Sequence, residues 1–126
     1  KSAEQGNASA QVGLGTMYYT GQGVPQDYKE AVKWHRKSAE QGNASAQFTL
    51  GLMYYKGHGV IEDFIASYAW LNNAKANGSI AASTFILDLK ESMTKEQIAI
   101  GQTLAKKLFQ EVKNRVEDSP VHIKYD

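Results

Sequence analysis

The strongest constraint on the fold is an internal repeat. The segment KSAEQGNASAQ at Lys1–Gln11 recurs unchanged at Lys37–Gln47, 36 residues later. When residues 3–38 are laid over residues 39–74 without a gap, 19 of 36 positions are identical. A constant period of this length indicates a supersecondary unit stacked on copies of itself, because one such unit cannot bury its apolar face alone.

Each copy has the pattern of two helices joined by a glycine-rich turn. Asn7 and Asn43 are suitable N-caps for the first helix of a unit, which we call helix A. The turns GQGVP and GHGVI contain glycines that adopt positive φ and end helix A. Asp27 and Asp63 then cap the second helix, helix B. The pattern predicts helices over residues 8–20, 28–41, 44–56 and 64–76.

A third unit departs from the first two. Ser79 is predicted to cap a helix over Ile80–Glu91, and Ser92-Met93 replaces the glycine-rich turn. Thr94 then opens a long helix to about Arg115, whose inward stripe consists of Ile98, Gly101, Ala105, Leu108 and Val112. We divide the chain into a repeat at 3–38, a repeat at 39–74, a modified terminal repeat with a capping helix at 75–115, and an extended or loosely docked tail at 116–126. Because residue 1 falls within the pattern, we expect the C-terminal part of a longer array.

The two copies also predict where the helices pack. Gly15 and its equivalent Gly51 lie inside helix A, so we expect another helix to approach closely there, where a side chain would not fit. Large side chains at helical spacing are expected to form the shared core: Leu14, Met17, Tyr18 and Trp34, with Leu50, Met53, Tyr54 and Trp70. Helix B of unit two carries Ile65 and Ala69 where unit one has lysines. The long helix is therefore expected to cover helix B of unit two.

Composition narrows the possible functions. The net charge is +1 and the basic residues are dispersed, which argues against nucleic acid as a partner. No apolar run is long enough for membrane insertion. The chain has no cysteine, so it has neither disulfides nor thiolate metal ligands. We predict no cofactor and no metal.

The three histidines are the remaining candidates for chemistry. His35 is expected on the charged exterior of helix B, and His122 lies in the tail. His58 has Glu62 and Asp63 close by in sequence, which leaves two interpretations: a carboxylate–imidazole or metal site, or an unconstrained turn position. A catalytic zinc site needs three protein ligands, and no second histidine is near. We therefore predict no catalytic residues.

The positions kept in both copies resemble the Sel-one-like repeat (SLR) family, a 36-residue helical relative of the tetratricopeptide repeat. These positions are Ala10, Leu14, Gly15, Met17, Tyr18, Gly21, Gly23, Val24, Asp27, Trp34 and Gly42, and the same set 36 residues on. The later segments SYAWLNNAKANG and MTKEQIAIGQTLAKKL look like the closing unit of bacterial members.

The resemblance implies an all-α fold, a right-handed α-solenoid (α/α superhelix) of antiparallel helix pairs with a C-terminal capping helix. It also implies a non-enzymatic scaffold or adaptor that binds a protein partner. Many bacterial relatives are exported, which favours a periplasmic or secreted location and leaves the compartment open. Cysteine-rich relatives suggest an alternative, a hydrolase of cell-wall or β-lactam-like substrates, but the chain offers no nucleophile–base pair for it.

The differences between the two copies suggest where a partner binds. In helix A they differ at positions spaced by three and four residues, which share one face of the helix. A face that meets no neighbouring repeat is free to differ, and in solenoids of this kind the A helices line the concave side. The candidate partner-binding residues, which we call the A-helix stripe, are Val12, Thr16, Thr20, Phe48, Thr49, Leu52, Lys56, Thr84, Phe85 and Asp88. We expect Phe48, Leu52 and Phe85 to be exposed apolar anchors, or alternatively Phe48 or Phe85 to fill a gap between helices.

Overall fold

The computed structural model describes residues 2–3 and 6–118 of the chain. These residues form six α-helices and contain no strand: α1 (Ala8–Thr20), α2 (Tyr28–Ala39), α3 (Ala44–Lys56), α4 (Phe64–Ala76), α5 (Ile80–Glu91) and α6 (Lys95–Glu117). The predicted helices are all present, and α2 is two residues shorter than expected. α6 extends two residues past Arg115 into the expected tail, and the rest of the tail, 119–126, lies outside the described residues.

Side-chain caps set the beginning of every helix. The predicted caps all accept a hydrogen bond from the backbone N–H three residues on: Asn7, Asp27, Asn43, Asp63, Ser79 and Thr94. At Thr94 the Gln97 side chain also bonds back to the cap, at 2.8 Å, which completes a capping box. Gly21 and Gly57 end α1 and α3 with φ of 78° and 72°, as the glycine-rich turns predict.

Helices A and B of the first two units touch at the helical glycines. A Cβ built on Gly51 would lie 2.8 Å from Leu71 Cγ, and a Cβ on Gly15 would lie 2.7 Å from His35 Cδ2. These separations are shorter than a van der Waals contact, so no other residue fits without a shift. The close approach predicted from the repeat is therefore confirmed in both units.

Buried glutamines tie each unit to the next. Gln47 donates from Nε2 to the Ala39 carbonyl at 3.0 Å, and its Oε1 accepts from Asn77 Nδ2 at 3.0 Å. Gln11 makes the equivalent two bonds one period earlier, at 3.1 and 2.7 Å. Because a buried amide is costly unless it is bonded, this pair of bonds fixes the turn between units in one geometry.

The core consists of two clusters that cross unit boundaries. The first core cluster contains Ala31, Val32, Ala39, Ala46, Leu50, Met53, Trp70 and Val112. The second core cluster contains Tyr68, Leu71, Ala74, Ala82, Ile86, Leu89 and Met93. Trp34 and Trp70 are buried as predicted, but Met17 is 39% exposed although its equivalent Met53 is 1% exposed. The prediction for Met17 was wrong because α3 packs between α2 and α4, whereas α1 packs chiefly on α2.

The third unit is not a helical hairpin like the first two. α5 packs on α4, and α6 also packs on α4 rather than on α5. Gly101 of α6 sits against the Tyr68 ring, and Asn73 Nδ2 of α4 donates to the Ala105 carbonyl at 3.1 Å. The predicted cover over helix B of unit two is confirmed. Ser92-Met93 stands in place of the glycine-rich turn, and Met93 is buried in the second core cluster.

The helical glycines provide a matched pair of substitutions. In Gly13→Ala the new Cβ meets nothing within 4 Å, so stability should rise by about 1 kcal/mol from helix propensity. In Gly51→Ala overpacking against Leu71 should cost about 1–3 kcal/mol and lower the stability. Urea unfolding followed by circular dichroism measures both. Equal effects of the two variants would contradict the close approach at Gly51.

Truncation after Met93 tests the role of α6. Removing it uncovers Tyr68 and Trp70, and deprives the buried Asn73 amide of one of its acceptors. We expect the shortened chain to aggregate or to lose its cooperative thermal transition, as measured by size-exclusion chromatography and calorimetry. A soluble, monomeric fragment with an unchanged melting temperature would show that α6 does not stabilise α4.

Candidate interaction surface

The buried residues of helix A are all residues that agree between the two copies. In α3 the buried residues are Ala46, Gln47, Leu50, Gly51 and Met53, and all five match the first copy. The positions at which α3 differs from α1 are half-buried or exposed. Packing therefore accounts for the agreement at the buried positions, and every member of the A-helix stripe is half-buried or exposed.

In unit one the stripe is polar and mostly accessible. Thr16 and Thr20 are exposed, and their hydroxyls donate to the carbonyls four residues earlier, at 2.8 and 2.9 Å. These bonds use the hydroxyl protons and leave the oxygens free to accept from a partner. Val12 is half-buried and packs against the first core cluster.

In units two and three the aromatic members of the stripe take part in packing. Phe48 and Phe85 are both half-buried against the second core cluster. The Phe85 ring also meets the Tyr55 ring edge-on, with centroids 5.0 Å apart and an interplanar angle of 89°. Of the two alternatives for these phenylalanines, packing between helices agrees with the contacts and exposure as anchors does not, because neighbouring helices cover part of each ring.

The remaining members of the stripe are accessible. Lys56, Thr84 and Asp88 are exposed, and Leu52 and Thr49 are half-buried. Leu52 belongs to neither core cluster, so it is the apolar member that packing does not explain. Apart from Val12, Phe48 and Phe85, the stripe thus combines one apolar side chain, several hydroxyls and two opposite charges.

A cluster of aromatic rings at the junction of units one and two was not predicted. His58 stacks on Tyr28 with centroids 4.5 Å apart, and its Nδ1 is 2.7 Å from the Tyr19 hydroxyl. A Cβ on Gly59 would lie against the Tyr28 carbonyl, so the turn of unit two is pressed against the start of α2. Burial, together with Tyr28, raises the pKa of Tyr19. His58 is therefore a packing residue between units.

His58 does not pair with the carboxylates that follow it in sequence. Asp63 accepts from the Ala66 N–H as the cap of α4, and Glu62 is exposed. Within residues 2–3 and 6–118, no three His, Asp or Glu side chains are grouped so that they could hold a metal ion. Both interpretations of His58 from sequence were wrong, because neither considered contacts from the preceding unit.

His35 lies in the interior, not on the exterior predicted for it. The side chain is 1% exposed and sits against Gly15, and neither ring nitrogen has a hydrogen-bond partner among the described residues. Burial lowers the pKa of His35 to about 4. The equivalent residue of unit two is Leu71, which is fully buried. The sequence therefore contained a signal for this burial, since a histidine at a position that is leucine in the next repeat is expected to be buried.

These features define a helical repeat protein with hairpins of period 36, a glycine contact inside each hairpin, and an atypical end. A profile of the Sel1 repeat matches residues 8–43 and 44–79, which together are more than half of the chain. The chain belongs to the Sel1 repeat family. The matched segments keep the period of 36 and begin at α1 and α3.

Two solved structures resemble the fold. A protective antigen of uropathogenic Escherichia coli strains that displays an SLR fold aligns with a TM-score of 0.84 and 31% identity over 90% of this chain. A Sel1 repeat protein from Oxalobacter formigenes aligns with a TM-score of 0.67 and 38% identity over 68% of this chain. The alignments span 25% of the first protein and 65% of the second. They agree with a right-handed helical solenoid.

Membership of the Sel1 repeat family bears on the class of function to be considered for this chain. Sel1 repeat proteins are typically protein-interaction modules and are generally non-enzymatic. A comparison with curated proteins finds no match. None of the six described helices has the length and apolar character that a membrane span requires.

The burial of His35 predicts a pH-dependent stability. The folded state holds His35 neutral down to about pH 4, whereas the unfolded chain protonates it near pH 6.5. The unfolded state therefore binds more protons between these values, and stability should fall by up to about 3 kcal/mol as the pH drops from 6.5 to 4. In His35→Leu, which copies Leu71, this loss should disappear. Urea midpoints at several pH values test this, and identical pH profiles for both proteins would contradict it.

Proposed function

We propose that this chain is a protein–protein interaction module that binds a protein or peptide segment along the A-helix stripe. One observation carries the proposal: the positions at which helix A differs between the repeats share one face of the helix, and none of them is fully buried. Selection for stacking explains why the buried positions agree. It does not explain why an accessible face carries threonines in unit one and Leu52 and Lys56 in unit two.

The chemistry of the stripe indicates the kind of segment it would receive. Leu52 lies near the middle and offers a half-buried apolar contact, which suits an apolar side chain of the partner. Thr16 and Thr84 lie on either side along the stack and offer hydroxyl oxygens. Lys56 and Asp88 add opposite charges, which fix the direction of a bound segment more than they add affinity.

The packing of Phe48 and Phe85 supports a rigid surface. Both rings are held against the second core cluster, so the A helices of units two and three keep their relative positions. A surface that is already ordered loses less conformational entropy on binding.

The hydrolase alternative gains no support from the described residues. His35 is buried against Gly15, and His58 is engaged by Tyr19 and Tyr28. Among the described residues, neither imidazole has a hydrogen bond to a serine or threonine hydroxyl. Turnover of a chromogenic β-lactam by the purified chain would revive this alternative.

A pair of leucine and isoleucine substitutions tests the proposal. Leu52→Asp places a charge in the middle of the stripe, and Ile61→Asp places one in a turn where the side chain is 89% exposed. Loss of an interface anchor costs more than about 2 kcal/mol, so Leu52→Asp should weaken partner capture roughly 30-fold or more. Ile61→Asp should leave capture unchanged.

The partner is first identified by cross-linking in cells through a photoreactive residue introduced in place of Thr16. The partner is then purified, and its capture by each variant is measured. Thermal melts accompany each variant, and Phe48 is left intact because it packs against the core. If Leu52→Asp captures the partner as well as Ile61→Asp does, or if the partner cross-links equally from the exposed Lys29 of helix B, the stripe is not the binding surface.

A further inference from the structure

The hydrogen bond that joins neighbouring units is made by a different amide at each junction. Between units one and two, Gln41 donates from Nε2 to Gln11 Oε1 at 2.7 Å. One period later, Asn77 donates from Nδ2 to Gln47 Oε1 at 3.0 Å. A glycine follows each of these donors in the sequence. The two bonds are alike in geometry, but asparagine and glutamine differ in their reactivity before glycine.

Asparagine is a thermally labile residue, and it is most labile when glycine follows it. The glycine nitrogen attacks the carbonyl carbon of the asparagine side chain and closes a five-membered ring, whereas glutamine has to close a less favourable six-membered ring. Glycine permits the attack because it has no Cβ to hinder the approach, and the space beside Gly78 is open for 4 Å around a built Cβ. Asn77 is the only asparagine of the chain that a glycine follows.

The Asn77-Gly78 pair is accessible and lies at the end of a helix. α4 ends at Ala76, both residues of the pair are exposed, and Asn77 lines a cavity of about 350 Å³ beside α6. The Gly78 N–H donates to the Lys75 carbonyl at 3.0 Å, so the attack requires the last turn of α4 to open. Helix ends fray more often than helix interiors, which makes this opening frequent.

We propose that Asn77 is a deamidation site and that its conversion cuts the hydrogen bond between units two and three. The Gly78 nitrogen attacks Cγ of Asn77, the bond from Cγ to the side-chain nitrogen breaks, and the Gly78 proton leaves with that nitrogen as ammonia. Water then opens the cyclic imide at either carbonyl and leaves aspartate or isoaspartate at position 77. The reaction consumes water and releases ammonia without an oxidant or reductant, and the site does not depend on the A-helix stripe.

The product cannot restore the bond between the units. A carboxylate has no N–H, so it accepts only, and it faces Gln47 Oε1, which also accepts. Gln47 is fully buried, and turning its amide towards the carboxylate would give up the bond from its Nε2 to the Ala39 carbonyl. In either arrangement the buried Gln47 Oε1 loses its donor, which destabilises the junction. Isoaspartate also inserts a methylene into the backbone two residues before Ile80, where α5 begins.

Peptide mapping of the incubated protein tests the site. The full chain is kept at mildly alkaline pH, mass spectrometry locates each exchange of ammonia for water, and isoaspartyl methyltransferase labels isoaspartate. Asn77→Gln is the matched control, because it copies Gln41 and keeps a side-chain donor. Asn77→Asp supplies one of the two products without incubation.

We expect Asn77 in the folded chain to convert before Gln41 and before every other asparagine. The converted chain and Asn77→Asp should melt roughly 3 °C or more below the unaltered chain. Amide hydrogen exchange should become faster at the start of α5 and stay unchanged in α1 and α2. Asn77→Gln should neither convert nor change its melting temperature on incubation.

Two results would overturn the proposal. One is that Asn77 stays intact in the folded chain under conditions in which an unfolded peptide of residues 70–84 converts. The other is that Asn77 converts while the melting temperature and the exchange at α5 stay unchanged, or that Asn77→Asp melts together with the unaltered chain.

Discussion

The architecture depends on the close approach of two helices at a glycine. Gly15 and Gly51 allow helix B to pack closely on helix A. The side chain of His35 lies against the glycine in unit one, and that of Leu71 does so in unit two. A Cβ added at either glycine would be closer to the His35 or Leu71 side chain than van der Waals contact allows. The glycine therefore sets how closely helix B packs on helix A. In the third unit the equivalent position is Leu87, Ser92-Met93 replaces the glycine-rich turn, and α6 packs on α4.

Hydrogen bonds fix the orientation of each unit relative to the next. A glycine contact fixes the inside of a hairpin but does not orient the next one. The buried Gln47 amide does so, since its two bonds join the end of α2 to the end of α4. The His58 ring adds a second link by stacking on Tyr28 of the preceding unit. Because neighbouring units are joined by core, amide and ring contacts, the A helices present a preformed surface, as binding with little ordering cost requires.

Local features of the sequence predicted most of the fold, and contacts between units account for what it missed. Caps such as Asn7 and Thr94 act within one turn of helix, so each helix began where expected. The cover over α4 was predictable because unit two lacks the charges of unit one. The prediction that His35 lies on the exterior was wrong because it relied on the polar character of histidine and not on the equivalence of His35 to Leu71. The aromatic members of the stripe were misjudged for a similar reason, since the coverage of Phe48 depends on α4 and α5 residues that one repeat alone does not reveal.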